Sequence, residues 1–414
     1  MPTFYPVILA CAMLTAIAVE ALGQVVETQD AQTLDAQTLD AQSQDAQSQG
    51  AQTQETENVE VDHLLSDLGS SAFSTRQKAA KDILLLEASA VTLLESHLKI
   101  AGAGVATQLR VLIPQLRKKL FDDRLDALIA NPEPAGAQGM PEWDRFSMIV
   151  GDDSDALPVY LQLVQSERDL FAARMFSASD FTSRLESCSV TLAAHCNGEL
   201  DEDFPVANCA ALMLAGSNPE FRLKGATSAN VSRALSDQRF GRLLENGVHA
   251  RILKAITSAW IERSGIAVDR PLLFAIEHKL PAGRNLAVQV LSKATQNQST
   301  YYALLCLGAL EQRNDLAIIE QLMTSDKKLW PSRGQSVQQL LKDRQWESSY
   351  SVQTRDVAMA VAIHLRDRNP REFGMNTEPS KLHLFAVESM GFNNDAERQV
   401  AIDKYRTEFE TARD

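Results

Sequence analysis

Ser74-Thr75-Arg76-Gln77-Lys78-Ala79-Ala80-Lys81-Asp82-Ile83 decides the fold class. A Ser followed three residues later by Gln is a capping-box signature: the hydroxyl accepts from the Gln77 amide while the Gln side chain reaches back. Behind it Ala79, Ile83 and Leu86 fall on one stripe with Ala80 and Leu84 beside them, the spacing of a helix that turns one face to a core. A second helix is expected over about 90–100 with Val91, Leu94 and Leu98 inward, ended by Gly102 and Gly104. A third starts near Val105 with Leu109 and Leu112 inward, and Pro114 is expected to bend it.

Outward from this stretch the same grammar continues: short amphipathic helices separated by Gly, Pro, Asn and Asp, with no convincing alternating strand. Asn131-Pro132-Glu133-Pro134-Ala135-Gly136-Ala137-Gln138-Gly139 reads as the one clear linker of the body. Beyond it the strongest helices are expected at about 206–215, 249–263, 300–311 and 353–366, and Asn393-Asn394-Asp395 offers a cap for a last helix carrying Val400, Ile402 and Tyr405. The expected class is all-α, with helical hairpins stacked as an α-solenoid or an irregular superhelix.

The run from Leu68 through Gly69-Ser70-Ser71-Ala72-Phe73 to Ile83 resembles the opening of HEAT-type repeats of exported bacterial proteins, over roughly residues 61–120. The resemblance implies stacked helix hairpins, with Phe73 plugging the hairpin and Arg76 supporting the turn. Pro141-Glu142-Trp143-Asp144-Arg145-Phe146 with Gly151-Asp152-Asp153, and Thr354-Arg355-Asp356 through His364-Leu365, are similar to segments of such proteins. No activity travels with that likeness. Later helices keep no clean period, so the count of repeats after residue 131 stays open.

The first sixty residues are of another kind. Tyr5 to Val19 is uncharged and largely apolar, and Ala21-Leu22-Gly23 places small residues before a plausible cut after Gly23, the pattern of a signal peptide without a basic start. A membrane span needs about 20 apolar residues, so an uncleaved anchor over 5–19 is the alternative. Between Asp30 and Gln54 a five-residue unit recurs, Asp-Ala-Gln-Thr-Leu and its variants, whose period matches neither helix nor strand. Such a tract cannot bury enough surface to offset its chain entropy and is expected to be a disordered spacer. The expected organisation is 1–23 signal, 24–58 spacer, 59–130 HEAT-like segment, 131–140 linker and 141–414 a larger helical array.

Charge narrows the partners. The 414 residues carry 54 acids and 40 bases, a formal −14. Eight of the acids lie in 24–60 and one, Glu20, in the leader, so the body holds 45 acids against all 40 bases, a net of −5. A nearly neutral body lacks the concentrated Lys and Arg that phosphate binding needs, which argues against nucleic acid.

The motifs of chemistry are thin. Removal of the leader would discard Cys11 and leave Cys188, Cys196, Cys209 and Cys306. Cys196 with Cys209 is the candidate disulfide; the alternative is free thiols packed as small apolar groups among Ala and Leu. Cys188 and His195, seven apart, share a helix face, yet no ligand pair has the spacing of a zinc site, and no metal or cofactor is expected. The sequence carries no nucleophile elbow, phosphate loop or dinucleotide fingerprint. Asp152, Asp153 and Asp155 resemble a calcium loop only in charge and are read as an N-cap cluster for the helix containing Tyr160. Trp143, Arg145, Arg355 and His364 are the residues around which a scattered site would be built. The leading expectation is an exported, non-catalytic scaffold or adapter that binds a protein partner, since stacked repeats present extended surfaces. The alternatives are an enzyme, a hydrolase or lyase, with a site assembled from those scattered residues, and an envelope-structural protein.

Overall fold

The computed structural model describes residues 58–151, 153–200, 204–263, 267–293, 298–330, 349–380 and 383–409. The leader, the cut after Gly23 and the five-residue repeats lie outside the described residues, as does Asp152. The chain divides into two compact units, one ending at Ala79 and one running from Ala80 to Asp414.

In the first unit residues 58–68 are helical and bury Val61, Leu64 and Leu68, a spacing of three and four that lines one face. Gly69 closes the turn by donating to the carbonyls of Leu65 and Ser66. The Arg76 guanidinium donates to the carbonyls of Ser70 and Ser71, both at 2.8 Å, and so braces the chain entering the next helix, Phe73–Ile83. Two expectations are corrected here. Phe73 is 70 % exposed and plugs nothing; it lies under the Arg76 guanidinium, 5.8 Å from the ring centre. Ser74 is already inside the helix, so it is not the N-cap of a box, because an N-cap residue has non-helical backbone.

Among the described residues the second unit is helical apart from one short ribbon and isolated bridges. Helix Ala88–Leu98 packs beside the long helix Ala103–Ala130, whose stripe Ala106, Leu109, Leu112, Ile113, Leu116, Phe121, Leu125 and Leu128 is buried. The long helix continues through Pro114, which is exposed, as is Arg110 one turn before it. The carbonyl that Pro114 leaves without a donor is therefore on the wet face, where water can satisfy it. The stretch 131–140 is built into the body: Pro134–Ala137 forms a turn of helix, and Ala137 and Met140 are buried in the same core as Phe121 and Leu125.

Two helices are buried on nearly every face, which places them in the interior. Val206–Ser217 is buried without interruption from Cys209 to Ser217 and packs on Ala250–Arg263, Ala156–Ser166 and Ala178–Cys196. Thr354–Leu365 is buried from Asp356 to Ile363 and packs on Gln298–Ala309 and Leu316–Gln321. Gly216 permits the first of these contacts, since a Cβ built there would meet Cζ3 of buried Trp260 at 2.6 Å. The last helix, Asp395–Phe409, is capped by Asn394, whose Oδ1 accepts from the Glu397 amide at 2.9 Å. It buries Ile402 and Tyr405, while Val400 faces solvent.

The ribbon corrects the expectation of no strand. Lys328–Trp330 pairs antiparallel with Val352–Gln353. Segments of three and two residues are too short to show an alternating pattern, so periodicity had nothing to detect.

Candidate functional site

Helix Ala88–Leu98 points Ala90 and Leu94 into the core. Its neighbouring stripe, Ala88, Val91, Thr92 and Glu95, recurs at three, four and seven residues and forms one wall of a cleft of about 550 Å³. The second wall is the stripe Arg117, Leu120, Phe121 and Arg124 of the long helix, at the same spacing. Gly139, Met140 and Pro141 make the third wall, and Met175 completes it. Phe121 and Met140 are buried and floor the cleft, while Met175 is exposed at its mouth. A volume in this range matches clefts that take small ligands or a few partner side chains.

The rim is charged. Glu95 pairs with Arg117 at 2.6 Å, and Arg117 also donates to the carbonyl of Phe176 at 2.8 Å. Asp123 pairs with Lys119 at 2.6 Å. The Arg124 guanidinium donates to the backbone carbonyls of Gln138 and Gly139 and thereby ties the long helix to the third wall.

Directly behind that wall is a cluster of ionisable groups. Glu142 follows Pro141, has a left-handed backbone with φ of 62°, and exposes only 2 % of its side chain. A non-Gly residue in this region is strained and persists where its surroundings hold it. The surroundings do so here: Nδ2 of Asn218 donates to both carboxylate oxygens at 3.0 Å, and Nε of Arg174 donates to Oε1 at 3.2 Å. Arg174 also pairs with Glu220 at 2.7 Å and lies over the Phe221 ring at 4.8 Å. Burial raises the Glu142 carboxyl above the ordinary carboxylate value, against the pull of Asn218 and Arg174. The effect on the cleft is positional. The network clamps Glu142 and Arg174, the chain neighbours of Pro141 and Met175, and so fixes the third wall.

Trp143 and Arg145 belong to this support. Trp143 is buried edge-on to Tyr160, with ring centres 4.9 Å apart, and stacks with Phe146 at 5.9 Å. Tyr160 in turn donates its hydroxyl to the Pro141 carbonyl at 2.7 Å. Arg145 donates to the Ser217 carbonyl at 2.6 Å and to its hydroxyl at 3.0 and 3.1 Å, and burial pushes its pKa down. That bond satisfies an orphan carbonyl at the end of the interior helix Val206–Ser217.

Arg355 and His364 sit elsewhere, at opposite ends of helix Thr354–Leu365 and so about 13 Å apart along its axis. Arg355 donates to Oε1 of Gln353 at 2.7 Å and pairs with Asp395 at 3.2 Å. His364 is edge-on to Phe385 at 5.8 Å, and burial lowers its pKa. The four residues singled out from sequence therefore serve separate networks, with Trp143 and Arg145 together and Arg355 and His364 apart.

The cysteines stand as free thiols at 188, 196, 209 and 306. Cys196 and Cys209, the candidate pair, are not bonded to each other in this structure, although they are near enough for Cys196 to contribute to the rise of the buried Cys209 thiol. Cys188 donates to the Glu167 carboxylate at 3.1 Å. Among the described residues no three His, Cys, Asp or Glu side chains converge as metal ligands. Asp155 stands at the N-cap of the helix containing Tyr160, but its side chain makes no capping hydrogen bond there. Asp153 accepts from the Asp155 amide at 2.9 Å and pairs with Arg251.

No protein-family model, curated protein or solved structure matches this chain. Among the described residues no helix is long and apolar enough to cross a membrane.

Proposed function

We propose that this chain is a non-catalytic helical-repeat scaffold of the exported HEAT-like kind, and that it binds a protein partner in the cleft between helices Ala88–Leu98 and Ala103–Ala130. One observation carries the reading: two helical stripes and a clamped turn enclose a largely apolar cleft of about 550 Å³ whose mouth is ringed by charge. An apolar centre within a polar rim is the anatomy of a protein interface. The ionisable cluster behind the cleft supports the same reading. Its carboxylate and guanidinium groups are spent on one another and on helix ends, so it serves as a frame for the walls.

The experiment is site-specific photocrosslinking in the producing cells. A photoreactive amino acid replaces Val91 in the cleft or, as a control, Arg242 on the helix Gln238–Asn246. The reading expects a discrete adduct from position 91 in the extracytoplasmic fraction, absent from position 242 and abolished by Met175→Glu. Equal labelling from both positions, or none from position 91, counts against it.

A further inference from the structure

The cleft has one feature that selects among partners. Its lining holds four charged side chains, and three are neutralised within the fold: Glu95 with Arg117, and Asp123 with Lys119. Among the described residues Arg124 has no carboxylate within ion-pair distance. Its guanidinium touches only the carbonyls of Gln138 and Gly139, which leaves donors for an incoming group, since Arg presents five N–H donors in a planar fork. The apolar floor of Phe121 and Met140 lies in the same cavity. The complement of this arrangement is a molecule with an apolar body and one terminal carboxylate.

We propose that the cleft captures the C-terminal peptide of its partner, with apolar last side chains on Val91, Leu120 and Met140 and the free α-carboxylate on Arg124. A peptide is favoured over a simple aliphatic acid by the wall opposite. Thr92 interrupts the apolar stripe with a hydroxyl that has no protein hydrogen-bond partner among the described residues, and Glu95 lies one turn beyond it. A backbone amide of a peptide meets the Thr92 hydroxyl, whereas an alkyl chain would bury that hydroxyl unpaired. Capture of a C-terminal carboxylate by fixed N–H donors is an established mode of peptide recognition, and an Arg fork matches a carboxylate. The proposal rests on the docking reading above and adds the chemistry of the partner.

The test uses the full chain and a fluorescein-labelled hexapeptide ending in Leu-Val-Leu, as the free acid and as the C-terminal amide, read by fluorescence anisotropy. The free acid is expected to bind at least about tenfold more tightly than the amide, about 1.4 kcal/mol. Arg124→Gln is expected to bring the acid down to the level of the amide, and Arg124→Lys to restore part of the difference. Val91→Glu, which leaves Arg124 and its carbonyl bonds in place, is expected to abolish binding of both peptides. Acid and amide binding alike, no binding of either, or dodecanoate displacing the peptide at lower concentration than the unlabelled peptide would each overturn the proposal. A crosslinked partner at position 91 combined with equal acid and amide binding removes this inference and leaves the docking reading in place.

Discussion

Asp356 and Arg398 form an ion pair inside the core, Oδ1 to Nε 2.7 Å, with side chains 0 % and 2 % exposed. Asp356 closes a capping box by accepting from the Gln353 amide, and Arg398 also donates to the Ser351 carbonyl and contacts Asp395. The pair thus joins the start of the last helix to the start of an interior one. Removing one partner of a buried pair typically costs about 3–5 kcal/mol, while replacing both by apolar groups is often near neutral. Asp356→Leu is expected to be worse than Arg398→Met at pH 7, because a deserted Asp can take up a proton and an Arg cannot. The double substitution recovers most of the loss. Denaturant midpoints check this, and a double variant as unstable as the sum of the singles contradicts it.

The same carboxyl sets a pH dependence. Burial, only partly offset by Arg398, raises Asp356 from 3.8 to about 6. A carboxyl raised in the folded state contributes stability that is complete below its ordinary pKa and is lost as pH rises through the folded value. The stability of the unsubstituted protein relative to Asp356→Asn should therefore fall by about 2 kcal/mol between pH 4 and pH 7, since the unfolded carboxyl is already partly ionised at pH 4. Glu142 is shifted in the same direction, so Glu142→Gln should show the same sign. Urea unfolding at both pH values measures the difference; one that stays flat with pH contradicts the assignment.

Gly216 and Gly104 are expected to respond oppositely to alanine. Alanine gains about 1 kcal/mol in a helix over glycine. At position 104 a Cβ meets nothing within 4 Å, so Gly104→Ala should raise the melting temperature. At position 216 the Trp260 ring occupies the space, and overpacking of this kind costs about 1–3 kcal/mol. Gly216→Ala should lower it despite the better propensity.

Helix content was legible because a 3.6-residue period is local. Face assignment was less so: Val91 was expected inward, yet Ala90 and Leu94 fill the core while Val91 lines the cleft. A helix with one face on the core and another on a cleft shows two overlapping stripes, and one period cannot rank them. The site was harder still. Trp143 and Arg145 stood out, but Arg145 meets Ser217 72 residues away and Glu142 meets Asn218 76 residues away. Glu142 itself gave no signal, since nothing in Pro-Glu-Trp announces a left-handed backbone or a buried carboxylate. The cleft stripes 88/91/92/95 and 117/120/121/124 are present in the sequence, but their mixed polarity hides them from any hydrophobic pattern.

Thiol reactivity distinguishes the cysteines. Burial raises all four thiols, Cys188 and Cys306 to about 12, and Cys209 is fully enclosed. Cys196 is only half-buried. With iodoacetamide at pH 8, peptide mapping should find Cys196 modified first and the others only after unfolding, since the thiolate is the nucleophile and access limits it. Cys209 reacting as fast as Cys196 contradicts this packing, and a Cys196–Cys209 crosslinked peptide from the native protein contradicts the free-thiol state.

The proposed docking site is the cleft between helices Ala88–Leu98 and Ala103–Ala130. Hydrogen–deuterium exchange of the full chain, with and without the purified crosslinked partner, addresses it directly. Docking in this cleft slows exchange only in residues 88–98, 117–124 and 138–142. Protection centred on helix Thr354–Leu365 or Asp395–Phe409, with the cleft walls unchanged, would contradict it.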